Sequence, residues 1–348
     1  MAEDFDLIWQ GLRATRWDPP APAAKDKARR RTYVAALEQA EQLMRAAGRV
    51  GPASSPLLLF YGLSQAGRAI AAAAGELTGP DWLLDGHGIK ATPGALRSPG
   101  LAEITTVTDA PGRKGSFARL SELLESPLWP EGERDPVRLE LVWDCIPECR
   151  DLALSEDPVA RRTTLQIEPE MYSRMDQNPI VPTPLWPLPD WVMDAEDGHA
   201  ALAEYLSVFV LGERAAQPYL LASEGGPPDF ERHVGGWGEI TVNWELPPGA
   251  PGGEAGKLAY LESFTRGYCG GRYLFPAITG RGQTMHPLMA WWAVLFVLSM
   301  LARYEPARWG AHIAVDSSPH AVTLERILGR AREVVPQVVA ETLQEVGG

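Results

Sequence analysis

The sequence predicts an α+β fold, with N- and C-terminal helical portions packed together around a β-rich middle. Three observations carry this. From Pro287 to Ala302 no residue is charged and Ser299 is the only polar side chain, so the run reads as a helix buried on every side. Helical patterns also dominate the first 80 residues. Between Leu101 and Leu246, short runs rich in β-branched residues are bounded by Pro, Gly or Asp, without the regular intervening helices of a doubly wound parallel sheet. The expected portions are 1–95 helical, 96–255 β-rich with proline-rich loops, and 256–348 helical, completing one core with the first.

In chain order, an N-terminal segment carrying Trp9 and Trp17 leads into a Pro/Ala loop over 19–24. Lys27 to Ala47 is an amphipathic helix: Val34, Leu37, Ala40 and Met44 form one stripe, and Gly48, Gly51 and Pro52 stop it. Ser55-Pro56 opens the next helix, which runs towards Gly79-Pro80. Its small residues Gly62, Ala66, Ala69 and Ala73 share roughly one face, which lets another backbone approach, and the apolar run at 285–309 is its expected partner. Strands are expected at 103–108, 137–143, 163–168 and 239–246. The proline-dense stretch 176–191 reads as neither helix nor central strand. A helix follows from His199 to Leu211, and 225–229 and 247–256 read as linkers. His286-Pro287 and Glu305-Pro306 punctuate the apolar helix. A last helix runs from Ser318-Pro319 to about Val346, with a break at Gly329.

Composition narrows the function classes. With 45% hydrophobic residues, 22% charged residues and 12 Trp, this is the profile of a soluble globular chain. A net charge of -13 argues against broad non-specific nucleic-acid binding, which needs Lys and Arg on phosphates. The acidic start, MAEDFDLIWQ, lacks the basic-then-apolar order of a signal peptide, and the apolar helix is too short and too closely flanked by charge to read as a membrane span. Three cysteines make no disulfide framework. A cytoplasmic protein is expected.

Motifs with chemical content are few. Gly62-Leu63-Ser64-Gln65-Ala66 approaches the nucleophile elbow of serine hydrolases, but Ala66 stands where the elbow has glycine, and a helix rather than strands precedes it. Arg281 and His286 have the R-x4-H spacing of HEPN-type ribonucleases, a spacing that also arises by chance in an arginine-rich chain. The Gly86-His87-Gly88 turn lacks the preceding strand and following helix of a dinucleotide fingerprint, yet it would present His87. Cys145-x3-Cys149 lacks zinc-site spacing, so neither metal nor cofactor is expected. Pro179-x-x-Pro182 and Pro184-x-x-Pro187 have polyproline-ligand spacing, but their apolar neighbours suit a segment lying on the core.

Arg68 and Arg303 sit in or at the edge of the two most apolar helices. An arginine keeps its charge, so each needs a partner; for Arg303, in a last helical turn, that is an acidic side chain or helix-end carbonyls. If Arg68 shares a cavity with His87 or His286, an anion is the expected occupant.

The blocks LLLFYGLSQAGRAI, GHGI and LFVLSMLARYEPARW resemble the YaaC-like family of bacterial proteins. The resemblance implies a bacterial cytoplasmic protein and carries over no catalytic residue. Phe60-Tyr61 followed by small residues also resembles an inner helix of HEPN-like bundles. The leading expectation is recognition of a protein partner or a small, possibly anionic, ligand at Arg68, His87 and Arg303. The alternatives are a metal-independent HEPN-like ribonuclease using Arg281 and His286 across a homodimer, and a serine hydrolase using Ser64.

Overall fold

The structure, a computed structural model, describes residues 2–155, 157–168, 179–209, 219–221, 226–279 and 283–347. Contacts divide the chain into a helical unit, Met1–Leu154 with Met285–Gly348, and a sheet unit, Ser155–Thr284. The division falls at 154/155 and 284/285.

The helical unit begins with α1 (Ala2–Trp17), α2 (Ala21–Lys25), α3 (Lys27–Ala47) and α4 (Ser55–Ala73). A small antiparallel sheet follows, with β1 (Ile89–Ala91) and β3 (Val137–Arg138) on either side of β2 (Thr105–Thr108); α5 (Ser116–Leu123) lies between β2 and β3, and α6 (Leu139–Trp143) follows β3. Part of the expected loop over 19–24 is therefore the short helix α2. The expected strand 137–143 is also mostly helix. Its buried residues Leu139, Val142 and Trp143 are spaced i, i+3, i+4, which suits a helix face and not strand alternation.

The sheet unit contains β4 (Leu165–Ile167), β5 (Ile180–Leu188), α7 (Asp190–Met193), α8 (Gly198–Leu206), β6 (Tyr219–Leu221), β7 (Glu231–Arg232), β8 (Gly238–Glu245), α9 (Gly253–Glu262), β9 (Arg266–Tyr268) and β10 (Gly271–Leu274). Its antiparallel order is β6-β8-β5-β4-β10-β9, with β7 also paired to β8. The proline-rich β5 is thus a central strand, against the sequence expectation. Pro182 and Pro184 are two residues apart, so their missing amides fall on one edge, and Val181, Thr183 and Leu185 remain to make the ladder to β8. Pro187 falls where the register shifts between Leu185 and Leu188. The helix expected over 199–211 ends at Leu206, and Leu211 lies outside the described residues. α9 begins inside the stretch that reads as a linker.

The chain returns to the helical unit with α10 (Pro287–Tyr304), α11 (Pro306–His312) and α12 (Ala321–Gly347). The expected break at Gly329 is absent, and α12 runs through it. Every residue of α10 from Pro287 to Leu301 is buried, and Ser299 satisfies its hydroxyl on the Phe296 carbonyl at 2.8 Å. Among the described residues it is the one helix long and apolar enough to cross a membrane, and 89% of it is buried within the protein.

The packing of α4 on α10 places the residues of interest. A Cβ on Gly67 would lie 2.5 Å from Trp292 and 2.8 Å from Leu120, so only glycine lets the two helices close to this distance. Phe60 meets Trp292 and Phe296 edge-on, with ring centroids 6.2 and 5.5 Å apart. Gly62 faces α3 instead, where a Cβ would lie 3.1 Å from Met44. α4 ends at Ala73, short of Gly79-Pro80, because Ala74 turns extended and buried Arg29 takes the carbonyls of Ala74 and Leu77.

Candidate functional site

One stripe of α4 is only half-buried: Tyr61, Gln65 and Arg68, at i, i+4 and i+7. It meets two other elements of the helical unit, the Gly86-His87-Gly88 turn and the C-terminal turn of α10.

The turn is built by its glycines. Gly86 and Gly88 have φ of 70° and 72°, a region that L side chains rarely adopt. A Cβ on Gly88 would meet the backbone of Gly115 at 2.7 Å. That close approach lets the start of α5 hold the turn: Phe117 N donates to His87 O at 2.9 Å and Ser116 Oγ to Gly86 O at 2.8 Å. His87 is thereby fixed with its ring centroid 5.5 Å from Phe60 and 5.8 Å from Phe296.

Two guanidinium groups act on that imidazole. Arg68 Nη1 donates to Leu84 O at 3.0 Å, which uses only part of its fork. Arg303 Nη1 donates to Tyr61 Oη at 2.6 Å, and its guanidinium lies 5.1 Å from the Tyr304 ring. This differs from the carboxylate or helix-end carbonyls expected for Arg303. Among the described residues, neither arginine is in an ion pair and His87 has no hydrogen-bond partner. Burial pushes the His87 imidazole below its ordinary pKa, and the charges of Arg303 and Arg68 push the same way. The result is a neutral imidazole beside two cations, with a tyrosine hydroxyl that accepts from Arg303 and so keeps its own proton to donate.

The other candidates lie elsewhere. His286 caps the start of α10, its Nδ1 accepting from Leu288 N at 3.1 Å, while Nε2 lies 3.1 Å from Glu345 Oε2. An imidazole that accepts at Nδ1 and donates at Nε2 is the neutral Nε2–H tautomer, with both nitrogens engaged. His286 and Arg303 sit at opposite ends of α10, about 25 Å apart at the helical rise of ~1.5 Å per residue, so His286 is no part of the cluster. Arg281 lies outside the described residues. Ser64 is buried in the middle of α4, whose backbone is helical from Ser55 to Ala73, so no strand–turn presents its hydroxyl. Cys145 and Cys149 are buried, and burial, with the charge of Asp144, raises the Cys145 thiol away from the thiolate a metal would need.

The sequence groups Arg68, His87 and Arg303 as ligand candidates on their residue types alone; the structure adds Tyr61, bonded to Arg303, to the group. The spacing of Tyr61 to Arg68 on one helix stripe is the signal that could have found it.

A family model for YaaC-like protein matches residues 12–343. No curated protein and no solved structure matches the chain.

Proposed function

The chain belongs to the YaaC-like protein family, and from the cluster it carries we propose that it recognises a small anionic ligand. The observation that supports this is the set Arg68, Arg303 and Tyr61 around an unpartnered, neutral His87, with no carboxylate in an ion pair with either arginine among the described residues. Two guanidinium groups with donors to spare, Arg68 half-buried and Arg303 exposed, match the oxygens of a phosphate, sulfate or carboxylate. The overall charge of -13 does not oppose this, because binding depends on the local field, and a local pair of cations on an acidic protein selects small anions over polyanions.

The test is the thermal stability of the full chain against phosphate, sulfate and citrate, with NaCl matched for ionic strength. A ligand at about 100 times its Kd stabilises by ~2.7 kcal/mol, a readily measured shift. The reading predicts stabilisation by at least one of these anions, lost in Arg68→Ala and in Arg303→Ala. If no anion stabilises the wild type beyond the salt control, or both variants respond as it does, the reading fails.

A further inference from the structure

The sheet unit carries a second group of chemically suited side chains. β7 and β8 form a hairpin in which Glu231 stands directly opposite Glu239 and Arg232 opposite Gly238. The turn closes through His233 N to Trp237 O at 3.0 Å and Gly236 N to His233 O at 2.8 Å, with Gly236 at φ 81°. Residues two apart on a strand share a face, so Glu231 and His233 point the same way, and the register brings Glu239 to that face. One ligand atom from each of the three, imidazole nitrogen or carboxylate oxygen, lies within 4.8 Å of the others.

Two further observations distinguish this group from an ordinary charged surface. The His233 ring is stacked on Trp237, with centroids 3.8 Å apart and planes at 14°, which fixes where its nitrogens point. Its Nε2 is buried and makes no hydrogen bond, although it lies 3.2 Å from Glu239 Oε2. Two carboxylates directly across an antiparallel pair also repel each other. The neighbouring cation, Arg232, is engaged by Asp190 at 2.8 Å and Asp194 at 2.5 Å.

We infer that Glu231, His233 and Glu239 form a binding site for a divalent transition-metal ion. Such an ion holds imidazole nitrogen and carboxylate oxygen at about 2.0–2.2 Å, which puts neighbouring ligand atoms roughly 3–3.5 Å apart. Rotation of Glu231, which is exposed, and Glu239, which is partly exposed, closes the remaining gap. One imidazole with two carboxylates suits Zn²⁺ or Mn²⁺; Mg²⁺ and Ca²⁺ favour all-oxygen shells and Cu⁺ favours sulfur. Three protein ligands leave at least one position for water or a ligand oxygen, as in an open site rather than a closed structural one.

The test uses the untagged full chain, stripped with chelator and dialysed to equilibrium against Zn²⁺ and, separately, Mn²⁺, with bound metal measured by mass spectrometry and Mg²⁺ as the control. The expected result is one equivalent of Zn²⁺ or Mn²⁺ on the wild type. His233→Ala, Glu239→Gln and Glu231→Gln should each weaken binding at least ~10-fold, with an unchanged far-ultraviolet circular dichroism spectrum. Glu231 is exposed, so Glu231→Gln keeps the fold and carries the test even where the other two express poorly. Absence of Zn²⁺ and Mn²⁺ from the wild type, or undiminished binding by the folded variants, overturns the assignment.

Discussion

Arg303 Nη1 and Tyr61 Oη form a 2.6 Å hydrogen bond between residues 242 positions apart, joining the last turn of α10 to the half-open stripe of α4. A charged donor on a neutral hydroxyl leaves the charge uncompensated, whereas a carboxylate in the same place would have neutralised it. The bond therefore orients Arg303 without quenching it, which is the electrostatic basis of the proposed anion site.

Arg68→Ala is expected to weaken anion binding by about ten- to a hundred-fold, the size of one lost charged hydrogen bond of ~1.5–3 kcal/mol. The unliganded protein loses only the bond to Leu84 O, about 1 kcal/mol. Calorimetric titration together with a denaturant melt separates the two effects. A large loss of stability would assign Arg68 a structural role instead.

The pH dependence follows from His87, whose pKa in the unliganded protein is below its ordinary value of ~6.5. A depressed imidazole contributes stability above about pH 6.5 that is lost as pH falls through the folded-state value. Anion binding works the other way: it favours imidazolium, raises the pKa and takes up a proton, so affinity should increase as pH falls from 8 towards 6. Sulfate is the probe for this titration because its own charge is constant over that range. In His87→Gln both dependences should flatten.

Gly67→Ala should destabilise the protein by about 2 kcal/mol, because the new methyl group would meet Trp292 and Leu120 well inside contact distance. Gly11→Ala makes the same change on the exposed face of α1, where nothing lies within 4 Å of the new Cβ. There the gain in helix propensity should stabilise by ~0.5–1 kcal/mol. Opposite signs in urea melts are the expected outcome.

His286→Ala removes a helix cap and the contact with Glu345, and should cost about 1–2 kcal/mol. Anion binding at the distant cluster should be unchanged, which titration of the variant with sulfate would check.

Much of the fold was legible where one physical signal acted alone. α10 was readable to within a residue or two because an uninterrupted apolar run is bracketed by two X-Pro pairs that act on the backbone directly. β5 was misread because counting prolines ignores their spacing, and it is the spacing that decides which strand edge loses its donors. The run at 137–143 is rich in strand formers, yet the burial of Leu139, Val142 and Trp143 selects a helix. The site was legible only in pieces. Tyr61 and Arg68 share a helix face that periodicity reveals, but the meeting of Arg68, His87 and Arg303 depends on how closely α4 approaches α10, and Gly67 sets that distance. Glu231 and Glu239 face each other across a glycine turn with His233 next along the same face, a pattern that becomes visible only once 231–232 is read as a strand.

The order in which the core is encoded has a consequence for biosynthesis. α4 belongs to the first segment of the helical unit and α10 to the second, with Ser155–Thr284 encoded between them. At roughly 5–20 residues per second on the ribosome, α4 emerges tens of seconds before the helix that covers Phe60 and Gly67. Throughout that interval the apolar groove beside α4 lacks its α10 cover, although Leu120 and His87 already border it. Yield in the cell should therefore depend on elongation rate across the intervening codons, and on whatever shields the groove until Trp292 arrives.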